Sequence, residues 1–566
     1  MSRMKKPEHA DALDADLQTL RANAERWARM GIQQRIGYLE ACLAGTVKVA
    51  ERQIRAAAAA KGLPLDSPLV GEEWFAGPVV QARTLRLLLD SLRSVAASGT
   101  VKLPKVSTHP HNGQTVVQVF PTSTIDKLTF AGFTAEVWMA PGVAPDDMRD
   151  HVAAFYREPD PKPAVALVLG AGNVASIGPL DVIQKLFQEG QVVMLKFNPV
   201  NDYLGPFVEE AFAGLIRDGF LRTCYGGADV GAYLTDHAEV DEIHVTGSDK
   251  THDVIVFGPG KAGEKRKKAG TPKNPRRVTS ELGNVSPVII VPGPWNAADI
   301  RFHAENVATQ LANNGGFNCN AAKVLITQEG WPLEQRFMDT LREVLAGIPQ
   351  RKAYYPGAED RYRAFVGAHA QSEPIGPERE GVLPWTLIPE VPADAEGEMC
   401  FGTEAFCGVL AQTRLPGVDA RAFLKAAVDF CNDTLWGTLN ACLIVHPDTA
   451  SALGADLEQA IGDLRYGTVA LNHWPALAYG LGSTPWGAWP GATPEDIQSG
   501  VGHVHNGYLI DDPQKTIIRG PFRVAPKPPW FVTNKATDKV ARAMLPMELK
   551  PSLLKLPKVV FAALRG

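Results

Sequence analysis

The chain has little cysteine, no long apolar run and no surplus of positive charge, and each lack excludes a class of protein. Its seven cysteines among 566 residues form neither a CxxC pair nor a Cys/His spacing, so neither a disulfide framework nor a zinc site is predicted. A run of about 18 apolar residues, which a membrane-spanning helix needs, is missing. The net charge of -5 offers no basic field for nucleic acid. We therefore expect a soluble, cytoplasmic protein without a bound metal.

The spacing of apolar residues divides the chain into regions of different structure. Residues 12–60 and 72–97 have the helical period, which predicts an all-helical lead-in. From Lys162 onward, strand-like runs such as Val165–Leu169 alternate with helical segments such as 179–189. This alternation predicts an α/β fold with a parallel, doubly wound sheet. The length of the chain predicts two or three subdomains of about 150 residues each.

A glycine-rich turn follows the first of these strands. The run Gly170-Ala171-Gly172-Asn173-Val174-Ala175 fits the fingerprint of a dinucleotide-binding turn. That fingerprint requires an acidic residue after the next strand, whereas Lys196 stands there. A lysine at this position could bind the ribose or the 2′-phosphate of a cofactor, and the pyrophosphate of that cofactor would then bind elsewhere. Gly247 and Ser248 are candidates for the pyrophosphate, because they end a strand and begin a helix. A plain tight turn is the alternative for each glycine.

A thiol and a carboxylate suggest a reaction. Cys319 lies in the glycine- and asparagine-rich segment 313–322, and Glu281 lies upstream in the segment 280–287. A thiolate adds to a carbonyl carbon, and a carboxylate in an apolar pocket can remove a proton from water. The two residues therefore indicate covalent catalysis that ends in hydrolysis. The alternative for a single cysteine is a small buried apolar residue.

Eight motifs stand in one order along the chain, and together they resemble the aldehyde dehydrogenase superfamily over residues 20–520. They are Asn173, Lys196, Gly226–Gly231, Val245–Ser248, Glu281–Gly283, Cys319, Glu404–Phe406 and Tyr466–Asn472. The resemblance implies a Rossmann-type cofactor domain, an α/β catalytic domain and a small β arm for oligomerisation. We expect the cofactor domain at 1–120 and 161–280, the catalytic domain at 281–490, the arm at 121–160 and 505–520, and an extension at 527–566.

The resemblance also implies a role for each matching residue. Cys319 would attack an aldehyde and form a thiohemiacetal, then a thioester. Asn173 and the N–H of Cys319 would stabilise the oxyanion, and Glu281 would activate the water that releases a carboxylic acid. The implied contacts to NAD or NADP come from Lys196, Gly231, Gly247, Ser248, Glu404 and Phe406. Exchange of the arm strands between subunits would give a homodimer or homotetramer.

Two departures from the family pattern concern the cofactor. Pro199 stands where many members that prefer NAD have a glutamate. Without that carboxylate a 2′-phosphate meets less repulsion, so NADP is slightly favoured over NAD. The basic segment 252–277 is either a solvated loop or an anion site for an NADP phosphate, a CoA phosphate or an acidic membrane surface.

Two further regions leave alternatives open. The residues Trp474, Trp486 and Trp489 either line a tunnel for an apolar or aromatic aldehyde or pack in the core. The segment 527–566 mixes leucines with lysines and is broken by prolines. It would pack on a neighbouring subunit, on its own core or on a membrane surface.

Two other functions compete with hydrolytic aldehyde oxidation. A CoA-dependent enzyme would transfer the acyl group to CoA or reduce an acyl thioester, but a thiol acceptor needs no activated water, so the presence of Glu281 argues against it. A nucleotide-binding scaffold with a decayed site is the second alternative. The joint presence of Cys319, Glu281 and Asn173 argues against that scaffold.

Overall fold

Two large β-sheets organise residues 7–566, which are the part of the chain that the computed structural model describes. The α-helices are α1 Ala10–Ala28, α2 Ile32–Ala60, α3 Val70–Trp74, α4 Val80–Ser98, α5 Thr124–Thr129, α6 Ala154–Arg157, α7 Ile177–Ile183, α8 Gly205–Ala211, α9 Ala213–Arg217, α10 Ala228–Thr235, α11 Asp249–Phe257, α12 Gly260–Lys268, α13 Ala297–Ala312, α14 Glu334–Ala346, α15 Ala358–Ala368, α16 Met399–Gly402, α17 Ala420–Asp433, α18 Pro447–Leu453, α19 Ala455–Asp463, α20 Ala476–Leu481, α21 Thr537–Leu549 and α22 Leu556–Ala563.

The strands are β1 Val106–Thr108, β2 Thr115–Phe120, β3 Thr134–Met139, β4 Val165–Leu169, β5 Val192–Lys196, β6 Leu221–Cys224, β7 Glu242–Gly247, β8 Arg277–Leu282, β9 Ser286–Ile290, β10 Ala322–Gln328, β11 Arg351–Lys352, β12 Glu373–Ile375, β13 Val382–Leu383, β14 Trp385–Ile388, β15 Val409–Leu415, β16 Asn440–Ile444, β17 Thr468–Leu471, β18 Trp486–Gly487, β19 Gly500–Val501, β20 His503–Val504 and β21 Pro513–Arg519. Short π-helical turns continue α3 and α7 at Phe75–Val79 and Gln184–Gln188.

The smaller sheet has six strands in the order β19-β8-β7-β4-β5-β6. Strands β4 to β8 run parallel. Strands β4 and β5 are nearly continuous apolar runs, because helices such as α7 and α1 cover them. The carboxyl ends of β4, β5 and β7 therefore meet at one edge, and Lys196 and Gly247 end two of these strands. The predicted helical lead-in and the parallel α/β fold are confirmed.

The larger sheet has eleven strands in the order β1-β2-β3-β21-β17-β16-β9-β10-β15-β14-β12. Its centre, from β17 to β14, is parallel. The strands expected to form the arm extend this same sheet: β3 pairs antiparallel with β21, and β21 pairs parallel with β17. All of these pairs lie within one chain. Exchange of the strands between subunits stays a prediction.

The basic segment is helical. Helix α11 and helix α12 occupy most of residues 249–268, and Lys267 of α12 forms an ion pair with Asp253 of α11 at 2.8 Å. Lys261, Lys265 and Lys268 are exposed on α12. The segment is thus solvated, as one alternative predicted, but it forms a helix pair and not a loop.

The helices near the carboxyl end pack on the chain itself. Helix α21 lies against α3 and α4, and a Cβ at Gly71 would collide with the backbone of Thr537 and Asp538. The Glu548 carboxylate, which is buried, accepts hydrogen bonds from Arg83 at 3.2 Å and from Arg86 at 2.6 Å. Among residues 7–566, every helix is too short or too polar to cross a membrane.

The Glu548 cluster should hold α21 in place. In the Glu548→Ala variant, Asp126 is the only carboxylate of the described cluster that still pairs with Arg83. The free energy of unfolding should fall by about 3 kcal/mol, because breaking a buried ion pair usually costs this much. Asp429→Ala breaks an exposed pair with Lys425 and should cost less than about 0.5 kcal/mol. Equal effects of the two substitutions, measured by urea unfolding, would contradict this ranking.

Candidate active site

One cavity of about 750 Å³ opens at the carboxyl edge of the smaller sheet and extends to the loops that carry Cys319 and Glu404. Strand ends of the smaller sheet line it, as expected for a ligand site at the ends of parallel strands. The lining includes all nine residues that the sequence nominated: Asn173, Lys196, Gly231, Gly247, Ser248, Glu281, Cys319, Glu404 and Phe406. The fold thus gathers residues that lie far apart in the chain.

Cys319 and Glu281 line the same cavity and influence each other's pKa. All seven cysteines belong to the described residues, and Cys319 is partly exposed whereas the other six are buried. Its thiol lies close to the carboxyl group of Glu281 and influences the pKa of that group. Glu281 lies near the end of β8 and is 3% exposed. Burial raises the pKa of Glu281 to about 7, and burial together with Glu281 raises the pKa of Cys319.

Asn173 is tied to the turn that precedes Cys319. Its amide nitrogen donates to the carbonyl oxygen of Phe317 at 2.9 Å. A primary amide carries two N–H bonds, so one remains for another acceptor in the cavity. The carbonyl oxygen of Asn173 accepts from Lys61, Asn314 and Tyr354 at 3.0, 3.0 and 3.2 Å. These contacts fix Asn173 relative to Cys319.

Lys61 is a part of the site that the sequence did not indicate. It follows α2 and is buried, and its ammonium group donates to Glu73 at 2.8 Å, to Asn314 at 2.9 Å and to the carbonyl oxygen of Asn173. All three of its N–H bonds are therefore used. A lysine in a helical lead-in looks like a surface residue in the sequence, so no local signal could have shown this role.

The asparagines around the thiol mostly form hydrogen bonds with groups of their own turn. Asn314 has a φ of 54°, and its amide group donates to the Phe317 carbonyl and to the Asn318 side chain. Asn318 in turn donates to the carbonyl oxygen of Asn313. These asparagines therefore supply hydrogen bonds to backbone groups of the turn.

The far end of the cavity has features of a phosphate and ribose site. The stem of Lys196 passes over Gly231, where a Cβ would lie 3.7 Å from the lysine Cε. Burial lowers the pKa of Lys196. Ser248 caps α11 by accepting from the N–H of Thr251, and the amino end of this helix faces the cavity. Free N–H groups at a helix start favour a phosphate.

Glu404 lines the same cavity and is half-buried in it. Burial raises its pKa to about 8, although Lys323 acts in the opposite direction. Within residues 7–566, its Oε1 atom has no hydrogen-bond partner. A side chain at Gly283 would collide with this carboxyl group, so the glycine leaves room for it. The residues fit a ligand whose hydroxyl groups would donate to Glu404.

The loop that carries Glu404 is held by a residue that the sequence analysis missed. Arg361 of α15 donates to the carbonyl oxygens of Ala405 and Phe406 at 3.1 and 3.3 Å. Phe406 has a φ of 43°, a conformation that needs such support. Only the folded chain brings Arg361 to this loop.

A second cavity reaches Glu281 from another side. It has a volume of about 420 Å³, and its lining includes His244, Trp486 and His503. Among the residues described, Glu281 is the one shared by the linings of both cavities. The indole of Trp486 also faces the Glu281 carboxyl group. Solvent in either cavity can therefore reach Glu281.

The three late tryptophans lie in different places. Trp486 is fully buried at the second cavity. Trp474 donates to the carbonyl oxygen of Asn320 at 2.9 Å, and Trp489 lies under the ammonium group of Lys515 at 4.8 Å from its ring centre. Core packing describes Trp474, whereas Trp489 is half-buried and lines a separate cavity of about 150 Å³. Of the three, only Trp486 lies at a cavity that Glu281 also lines.

The clustered lysines and one group of possible metal ligands lie outside the main cavity. Lys265–Lys268 do not contribute to its lining in the described chain, whereas Lys250 and Lys273 do. His369, Glu398 and Cys400 have donor atoms close enough to share a metal ion. Glu398, however, accepts from His369 at 3.0 Å and from the N–H of Cys400 at 2.7 Å. This group is explained as an ion pair that caps α16.

Part of the chain is similar in sequence to known proteins. A model of the aldehyde dehydrogenase family matches residues 184–359. A curated aldehyde dehydrogenase from Agaricus bisporus is 24% identical over 298 residues, or 50% of this chain and 52% of that protein. The chain thus matches about half the length of this relative.

Solved structures show the same fold over a longer span. The aldehyde dehydrogenase KauB from Pseudomonas aeruginosa superposes with a TM-score of 0.60 at 17% identity, covering 92% of this chain and 90% of that one. The NADP-dependent glyceraldehyde-3-phosphate dehydrogenase from Bacillus halodurans C-125, solved with NADP, gives 0.60 at 16% identity, covering 90% and 91%. Residues 184–359 thus match the aldehyde dehydrogenase family, and the chain shares the fold of these solved aldehyde dehydrogenases.

Proposed function

We propose that this protein oxidises an aldehyde to a carboxylic acid with NAD or NADP, through a thioester on Cys319. One observation carries the proposal: the Cys319 thiol lies close to the buried Glu281 carboxyl group inside the cavity that Asn173 and Glu404 also line. Cys319 would be the nucleophile, Glu281 the base and Asn173 the amide donor. The arrangement is that of covalent catalysis with an activated thiol.

In the first step, the Cys319 sulfur bonds to the aldehyde carbon. The thiol proton passes to Glu281, whose pKa of about 7 makes it a base at neutral pH. The carbonyl oxygen takes up the negative charge. The free N–H of the Asn173 amide and the backbone N–H of Cys319, which already lies near the sulfur, would stabilise that oxygen.

The cofactor would occupy the rest of the main cavity. When bound, a nicotinamide ring accepts the hydride that converts the thiohemiacetal to the thioester. Lys196 would contact the adenosine ribose, the start of α11 at Gly247 and Ser248 the pyrophosphate, and Glu404 the nicotinamide ribose. The segment from Lys196 to Val200 contains no carboxylate, which supports a slight preference for NADP.

Glu281 would release the first proton to solvent and then remove a proton from a water molecule, whose oxygen bonds to the thioester carbon. The bond from that carbon to sulfur would break, which releases the carboxylic acid, and the Cys319 thiolate would regain a proton from Glu281. The second cavity supports this step, because it gives water a way to Glu281 that does not pass through the cofactor region. A CoA-dependent reaction would need no such base. Tyr479 and Trp486 pack edge to face at 6.0 Å beside Glu281, which supports an apolar or aromatic aldehyde as the substrate.

The nucleophile is tested by Cys319→Ala. This variant should lose all turnover of a panel of aliphatic and aromatic aldehydes, followed as the absorbance of reduced cofactor with NAD or NADP and with or without CoA. Cys42→Ala, at a buried cysteine of α2 outside the cavity, should keep its activity. Turnover in Cys319→Ala above about one per cent of the parent would refute the covalent mechanism.

The base is tested by Glu281→Gln and by pH. The steady-state rate of the parent should rise with pH through about 7, because the deprotonated carboxylate is the active form and burial raises its pKa to about 7. Glu281→Gln should lower the rate roughly 10²- to 10⁴-fold and abolish that rise. Glu264→Gln, at an exposed position of α12, serves as the control. Turnover that requires CoA and survives Glu281→Gln would establish the acylating alternative instead.

The cofactor site is tested by Lys196→Gln. Loss of the ammonium group should weaken binding of NAD and NADP roughly tenfold, measured by quenching of tryptophan fluorescence. Lys268→Gln removes an equal charge from an exposed site outside the cavity and should leave both affinities unchanged. Equal weakening by the two variants would mean that general charge, and not a contact from Lys196, attracts the cofactor.

A further inference from the structure

The hairpin of α21 and α22, residues 537–563, presents an unusual outer face. Twelve large apolar side chains of the described chain are exposed, and six of them lie between residues 549 and 564. Leu554 is 93% exposed and Leu564 67% exposed. The six are Leu549, Leu553, Leu554, Val560, Phe561 and Leu564. An apolar patch of this density on a folded protein marks an interaction surface.

The same stretch carries positive charge only. Residues 549–566 contain Lys550, Lys555, Lys558 and Arg565 and no aspartate or glutamate. The nearest acidic residue in the sequence, Glu548, is buried and paired with Arg83 and Arg86, so it does not neutralise the face.

The hairpin is anchored to the protein from its other side. Its inner face forms a small core of Val540, Ala543, Met547, Val559 and Ala562. Arg542 pairs with Glu51 and lies over the ring of Trp74 at 4.7 Å. The outer apolar side chains therefore cannot turn inward without breaking these contacts, and they stay exposed.

We propose that this outer face docks on an anionic lipid bilayer. Its leucines and Phe561 would enter the boundary between headgroups and acyl chains, and its lysines and Arg565 would face lipid phosphates. Short amphipathic helices with cations beside an apolar face bind membranes in this way. The proposal stands on the hairpin alone and does not depend on the reaction at Cys319.

The charges disfavour a second copy of the chain as the occupant. In a symmetric dimer the same face meets itself. That contact would bring Lys550, Lys558 and Arg565 of each copy close to the same cations of the other, and like charges repel. A surface of phosphate groups offers the opposite charge.

The test is cosedimentation of the full chain with vesicles. The protein should bind vesicles of phosphatidylcholine mixed with phosphatidylglycerol, bind phosphatidylcholine alone at least about tenfold more weakly, and lose binding at high salt. Two double variants, Lys550→Gln with Lys558→Gln and Leu554→Asp with Phe561→Asp, should each lower binding to the anionic vesicles about tenfold or more.

Matched control variants carry the same kinds of substitution at exposed positions outside the hairpin. Lys265→Gln with Lys268→Gln removes two exposed charges from α12, and Val418→Asp alters an apolar side chain that is 97% exposed; both should bind as the parent does. Circular dichroism should show every variant folded. Failure to bind, equal binding to both vesicle types, or hairpin variants that bind like the parent would overturn the proposal. A dimer in solution that disappears in Leu554→Asp with Phe561→Asp would overturn it in favour of self-association.

Discussion

The buried ion pair of Lys61 and Glu73 is the interaction on which the active-site turn depends. Taking two charges out of water is costly, so such a pair is tolerated only when its remaining hydrogen bonds are made. Lys61 meets this condition by donating to Glu73, to Asn314 and to the carbonyl oxygen of Asn173. The charge of the lysine therefore binds the helical lead-in, the glycine-rich turn and the turn before Cys319 into one unit.

The neighbouring glutamate of α3 extends this unit. Glu72 accepts from the backbone N–H of Asn314 at 3.0 Å and from Arg351 at 2.9 Å. The turn that it holds contains Asn314 with a φ of 54°, followed by two glycines that also have positive φ. A backbone in this conformation needs fixed partners. Two adjacent acids on one short helix thus hold the turn that precedes Cys319.

Some features could be predicted from the sequence because they depend on residues that are adjacent in the chain or on several motifs in a fixed order. The apolar runs of β4 and β5 predicted buried parallel strands, and the motifs around Glu281, Cys319 and Glu404 predicted residues that do line one cavity. Lys61 and Arg361 could not be predicted, because their partners lie in distant segments. The basic segment was also ambiguous, since ion pairs such as that of Lys267 with Asp253 decide between helix and loop.

Strand β21 has a further consequence for the integrity of the larger sheet. It lies between β3 and β17, and its backbone pairs with both. Without this strand, a row of N–H and C=O groups on β17, beside the apolar centre of the sheet, would face solvent. Such an open edge recruits strands from other molecules and leads to aggregation. Residues 513–519 therefore protect this edge of the sheet from solvent. Their loss would lower the solubility of the protein before it lowered the rate of any reaction.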